Sequence, residues 1–488
     1  MRIRATVVAG VLAMAVGAAG ARADVKVAKV FGEGMVLQRD LPLPVWGTAD
    51  AGEKVTVRFG GEEQTATAGR DGKWRVVLGK QPASELGRDF VVAGKNTVTF
   101  HDVLVGDVWV CAGQSNMEYP LDRSQMRGVS NPPAGVKDVS KETLAEVRAN
   151  PDAGLRIFRV EKRLNEDLPT DGWHVAGGTA GAEAVGHFSA IGYFFGKNLR
   201  ADVKVPIGLI GSYWGGSRIE VWTPASAFAG TELSKTGTAT TRPGVIDGSQ
   251  AGKYYDKMVA PMAGYGIKGM IWYQGESNLL EVNNKDYLEK FELFAKAWRG
   301  AWGEGDFPIG TVQIAPLYYT KRKDPIPHTT ETLPEFWAIQ AQATRDVKNV
   351  GMVETIDLAD NLGNIHPYNK WDVGERLANW ARAEVYGEKG VEWSGPVMTN
   401  LEATTTKAVI TFSHGEGLKG ADAKPISGFE VLGADGNWSE VEAKVAGEGK
   451  VEIEGTALHG VRYGWREDFR GGLVNGAGLP AVPFKKEW

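Results

Sequence analysis

Apolar and polar residues alternate in Val55-Thr56-Val57-Arg58-Phe59 and in Lys73-Trp74-Arg75-Val76, the period of a strand with one face buried. Glycine turns separate such runs at Ala51-Gly52, Gly60-Gly61 and Asp71-Gly72, so residues 24 to about 103 read as a small β-sandwich. From about 104 to 392 the pattern changes. The apolar runs Val108-Trp109-Val110-Cys111, Ile207-Gly208-Leu209-Ile210, Gly269-Met270-Ile271-Trp272 and Val353-Glu354-Thr355-Ile356 read as buried strands. Helix-period stretches lie between them, from Asp286 to Trp298 and from Trp371 to Val385. Strands alternating with helices imply an α/β unit with a mostly parallel sheet, and such sheets place ligands at the carboxyl ends of their strands. Residues 225–253 and 320–333 are polar and irregular, and read as loops over that edge. From about 393 to 488 the chain returns to β, with Ala408-Val409-Ile410-Thr411-Phe412 and Gly428-Phe429-Glu430-Val431-Leu432.

The first 23 residues stand outside this pattern. Arg2 and Arg4, the apolar stretch Val7 to Ala19, and Ala21-Arg22-Ala23 before Asp24 compose a signal peptide. The apolar run is short and rich in Gly and Ala, which argues against a membrane anchor. The expectation is an exported protein, periplasmic or secreted, with no membrane partner.

Composition narrows the function classes. The 488 residues are 43% hydrophobic and carry a formal net charge of −5, so the chain is globular and lacks the basic excess that a nucleic-acid partner needs. The single cysteine, Cys111, forbids an intrachain disulfide. The 64 glycines are roughly twice the usual share of about 7%. No cluster has metal-ligand spacing, so neither a metal nor another cofactor is expected.

Four short blocks stand at the ends of the expected strands. In Gly113-Gln114-Ser115-Asn116-Met117 a serine occupies the turn leaving a buried strand, a position that exposes its hydroxyl as a nucleophile. Gly211-Ser212-Tyr213-Trp214-Gly215-Gly216-Ser217 offers paired glycines, which either aim N–H groups at an oxyanion or form a turn into a helix. Trp272-Tyr273-Gln274-Gly275-Glu276-Ser277-Asn278 places two amides beside a carboxylate. Gly363-Asn364-Ile365-His366-Pro367 carries the one histidine of seven set after the last strand of the α/β unit, where an imidazole can serve as a base.

Together these blocks resemble the sialate O-acetylesterase family, within the SGNH hydrolase group of carbohydrate esterases. The likeness includes Gly113 to Glu118, Trp214-Gly215-Gly216 with Ile219-Glu220-Val221-Trp222, Trp272 to Asn278, and Ile365-His366-Pro367 with Asn369-Lys370. It extends to Gly34-Met35-Val36-Leu37-Gln38-Arg39 and Val461-Arg462-Tyr463-Gly464-Trp465, nearly the whole chain after residue 23. The resemblance implies a three-layer SGNH-like fold flanked by β segments, and hydrolysis of O-acetyl esters on an oligo- or polysaccharide. Ser115 is then the nucleophile and His366 the base. The oxyanion donors are N–H groups of Ser115, Gly215 or Gly216 and the side chain of Gln274 or Asn278.

The SGNH group places an Asp three residues before the histidine, and many relatives place one two before it. Here those positions hold Gly363 and Asn364. The resemblance favours Glu276 as the carboxylate that orients His366, with Asp360 as the alternative. Trp214 is the expected sugar platform, with Arg218, Glu220 and Tyr119 as polar contacts, whereas most other tryptophans read as core. Two other functions stay open: a non-catalytic glycan-binding relative, and an esterase of the same fold acting on lipid or other acyl esters. The acetylated glycan and the oligomeric state are not legible in the sequence.

Overall fold

The computed structural model describes residues 24–126, 138–235, 245–281, 284–323 and 326–488. The expected signal peptide lies outside them. The central element is a strand of 17 residues, β1 (Thr97–Gly113). Its first half alternates and pairs antiparallel with Ser84–Ala93. Its second half is buried throughout and, apart from Asp107, which is bonded to Arg39 at 2.9 Å, apolar, as a strand covered on both faces must be. That half pairs parallel with β4 (Ile207–Tyr213) and β5 (Gly269–Tyr273).

The remaining strands of the sheet are β2 (Asp152–Val160), β3 (Thr170–Ala176), β6 (Ile309–Val312) and β7 (Val350–Val353). The order is β3-β2-β4-β1-β5-β6-β7, and all neighbours run parallel except β3 on β2. The run from Val353 to Ile356 is strand only at Val353. Beyond it the Thr355 hydroxyl donates to the Gln313 carbonyl at 2.8 Å, and the chain leaves the edge of the sheet.

The major helices are α1 (Ala190–Val203), α2 (Tyr287–Trp302), α3 (Thr332–Asp346) and α4 (Trp371–Trp380). In α2 the buried positions Tyr287, Phe291, Phe294, Ala295, Trp298 and Trp302 recur at helical spacing, and Gly303 ends the helix at φ 71°. Trp109 of β1 packs on Phe195 of α1 and Trp380 of α4. Trp272 of β5 packs on Phe294 of α2. Trp272 pairs with Ala112 and Gly269 with Trp109, so Trp109 and Trp272 point to opposite faces. Helices therefore cover both sides of the sheet, in three layers.

The boundary expected near residue 103 falls inside β1. The N-terminal β region shares the core of the α/β unit: Phe31 lies 5.2 Å from Tyr265, and the Tyr265 hydroxyl donates to the Val36 carbonyl at 2.7 Å. The C-terminal region differs. Two four-stranded antiparallel sheets enclose a core of their own, with Ile410, Phe412, Val451, Phe429, Tyr463 and Phe484. Polar contacts tie it to the α/β unit, including Arg462 on Glu331 at 2.9 Å and the Thr320 N–H on Glu467 at 3.0 Å.

Candidate active site

Ser115 begins a single helical turn directly after β1. Gly113 makes that exit possible: its φ is 142°, and a Cβ there would lie 2.1 Å from the Tyr273 carbonyl oxygen. The ladder continues past the strand, since the Gln114 N–H donates to Tyr273 O at 3.0 Å and the Trp214 N–H to Gly113 O at 3.1 Å. The Gln114 Oε1 accepts from the Ser277 N–H at 3.1 Å and from Gln274 Nε2 at 3.2 Å. Three of the four blocks thus meet at the ends of adjacent strands β4, β1 and β5.

The fourth block arrives on the loop between β7 and α4. His366 Nε2 and Ser115 Oγ lie 2.9 Å apart, within hydrogen-bond reach for proton transfer. Ser115 is 7% exposed and His366 is half-buried, so the hydroxyl is sheltered yet open on one side.

The two candidate carboxylates do not bond the imidazole. Glu276 is buried, and its Oε1 accepts from Asn116 Nδ2 at 2.5 Å while Oε2 has no partner. Burial pushes its carboxyl above the ordinary range, against the pull of Asn116 and Lys370. Asp360 accepts from the Tyr368 N–H at 2.9 Å and so braces the loop backbone. Asn364 braces it as well, because its Oδ1 accepts from the His366 N–H at 2.9 Å.

Several expected ligand contacts are closed within the fold. Gln274 Nε2 donates to Gln114, Ser217 O and Asn278 Oδ1 at 3.2, 3.2 and 2.7 Å. Asn278 donates to both oxygens of Glu220 at 3.1 Å. These amides clamp the second and third blocks together instead of facing an oxyanion. Glu220 is buried and paired with Lys290 at 3.0 Å, and Arg218 is buried with Ser249 at 2.9 Å. Tyr119 is buried beneath the Lys370 ammonium, 4.7 Å from its ring centre. The Glu220 carboxylate and the Tyr119 hydroxyl are closed off from solvent, and Arg218 is engaged by Ser249 and, at 3.6 Å, by Glu281.

Gly215 comes so close to the nucleophile that a Cβ would lie 3.2 Å from that of Ser115. Its N–H donates to Glu118 Oε2 at 2.5 Å, so Glu118, a residue given no role from the sequence, occupies that donor. The N–H groups of Ser115 and Gly216 make no hydrogen bond to another described residue. Gly216 is exposed at φ 70°. Trp214 is half-buried, stacks on Tyr254 at 4.5 Å and has the Lys162 ammonium over its ring, 6.0 Å from the centre. Beside it a cavity of about 260 Å³ is lined by Glu118, Arg159, Lys162, His187 and Tyr213. Among the described residues no group of His, Cys, Asp and Glu could hold a metal ion.

A mostly parallel sheet covered by helices in three layers, with a serine turn on its central strand and a histidine brought to it from the last loop, defines an SGNH-type hydrolase. Likeness to known proteins agrees and goes further. Residues 105–382 match the family of carbohydrate esterases described as sialic acid-specific acetylesterases. Human sialate O-acetylesterase is 29% identical over 418 residues, covering 78% of this chain and 75% of its own. The mouse enzyme is 28% identical over 445 residues, covering 79% and 78%. A carbohydrate acetylesterase from Xanthomonas citri superimposes with a TM-score of 0.81 at 31% identity, covering 95% of this chain and 100% of its own. The chain belongs to this family of carbohydrate O-acetylesterases.

Proposed function

We propose that the chain is an exported serine esterase that removes O-acetyl groups from oligo- or polysaccharides through an acetyl-enzyme. The observation that carries this reading is the 2.9 Å approach of His366 Nε2 to Ser115 Oγ at the end of the central strand. Ser115 Oγ attacks the acetyl carbonyl carbon while its proton passes to His366 Nε2. The N–H groups of Ser115 and Gly216 receive the oxyanion. The ester C–O bond then breaks, and the sugar oxygen leaves with the proton from His366. Water attacks the acetyl-enzyme with His366 again as base, and acetate departs as Ser115 regains its proton. The half-buried ring of Trp214, backed by Tyr254, is the apolar platform for a pyranose ring, with Lys162 beside it as a polar contact.

Acetate release from a panel of acetylated polysaccharides and hydrolysis of p-nitrophenyl acetate test the reading. Wild type should turn over, and Ser115→Ala and His366→Ala should each lose at least ~10³-fold in kcat. Equal rates in wild type and Ser115→Ala would sink the serine mechanism. The export part of the proposal rests on the pattern of residues 1–23. It predicts a mature N-terminus at Asp24, readable by N-terminal sequencing of the expressed protein.

A further inference from the structure

Behind His366 lie three buried polar side chains that do not touch Ser115 Oγ: Asn116, Lys370 and Glu276. Asn116 Nδ2 donates to the Ile365 carbonyl at 3.0 Å as well as to Glu276. Lys370 Nζ donates to the Pro367 carbonyl at 2.7 Å and to Asn116 Oδ1 at 2.8 Å. Ile365 and Pro367 are the two residues flanking His366. Both carbonyls on either side of the base are therefore gripped by side chains that are bonded to each other.

Such a grip has a physical consequence. His366 sits in a loop, where no ladder of backbone bonds fixes the direction of its Cα–Cβ bond. Asn116 holds the peptide plane that enters His366, and Lys370 holds the plane after Pro367, whose ring fixes its own φ, so the direction is set from both sides. Burial of an amine is costly unless it is compensated, and an apolar side chain of similar length would fill the same space without that cost. Here burial pushes the Lys370 ammonium down to about 7, with Glu276 and Asp360 opposing the shift. Either protonation state of the amine still has N–H groups for both acceptors.

We infer that Lys370 and Asn116 are positioning residues for His366: they hold the two carbonyls that flank it and so aim Nε2 at Ser115, with Glu276 keeping Asn116 in register. Glu276 thus acts on the base through Asn116. The inference rests on the assignment of His366 as the base and adds what holds it.

The test compares kcat, KM and the rate of Ser115 labelling by a fluorophosphonate in wild type, Lys370→Met and His366→Ala. Lys370→Met should lower kcat and the labelling rate by about 100-fold, the scale of a misplaced catalytic group. Its KM should stay within about twofold, since substrate contacts are untouched, and its circular dichroism should match wild type. Wild-type kcat and labelling in Lys370→Met, or a raised KM with kcat intact, overturn the positioning role. Activity retained in His366→Ala overturns instead the assignment of the base, whatever Lys370→Met does. If Lys370→Met does not fold, Lys370→Met/Glu276→Gln, which leaves no buried charge without its partner, is compared with Glu276→Gln alone, and the step between them is read with the same outcomes.

Discussion

Ser115 and His366 meet at 2.9 Å, yet the chain holds them by different means. Ser115 stands on the central strand of the sheet, and backbone bonds from both neighbouring strands run up to residues 113 and 114. Its geometry follows from the sheet itself. His366 sits in a loop whose backbone is held by side chains: Asn364 on its own N–H, Asp360 on Tyr368, Asn116 and Lys370 on the flanking carbonyls. A nucleophile placed by a sheet tolerates substitution around it as long as the strand packs. A base placed by side chains depends on a few identifiable polar contacts, and its precision can be removed one contact at a time.

This contrast can be tested from both sides. Beyond the loss of Ser115 or His366 themselves, the largest effect is expected at Gln114, where sheet and side chain combine. Gln114→Ala leaves the buried Ser277 N–H and Gln274 amide without their acceptor. Each such loss costs roughly 1–3 kcal/mol, so thermal denaturation should show a clear drop in Tm together with a fall in kcat. A variant of wild-type stability would show that the serine turn needs no support beyond its strand. Asp360→Asn should do much less, since the amide oxygen still accepts from Tyr368. A large loss of kcat there would instead make Asp360 the acid that acts on His366.

The smallest effect concerns pH and stability at the start of the histidine loop. Burial pushes the Glu354 carboxyl up to about 7, above the ordinary carboxylate range near 4.3. The folded state then binds more protons than the unfolded state between those two values. This contribution to stability is complete below the lower value and is lost as pH rises through about 7. Glu354→Gln removes the titration, so its Tm relative to wild type should be higher at pH 8 than at pH 5. A pH-independent difference would contradict the assignment.

Much of this arrangement was legible in the sequence, for a physical reason. Buried parallel strands are apolar on both faces, so the runs at Val108, Ile207 and Gly269 marked three adjacent strands, and the blocks following them marked the edge where the site lies. The boundary near residue 103 was not legible, because β1 changes from alternating to almost wholly apolar within one unbroken strand. Side-chain direction was likewise hidden. Gln274, Asn278 and Glu220 have the chemistry of substrate contacts, and only the fold shows them bonded to one another and to Lys290. Glu276 reads from the sequence as a partner of His366, whereas in the fold it reaches the loop through Asn116. The signal for that link was present in Asn116 and Lys370, two polar residues in the blocks flanking the serine and the histidine, but pairing them needs a distance that spacing in sequence does not give.

Nucleophilic attack by Ser115 is tested most directly by rapid-quench mass spectrometry of the enzyme mixed with p-nitrophenyl acetate. The expected result is an acetyl group on the peptide containing Ser115, formed in a burst of p-nitrophenol release, and absent from Ser115→Ala. Turnover of wild type with no acetyl-enzyme, or an equal burst from Ser115→Ala, would contradict it.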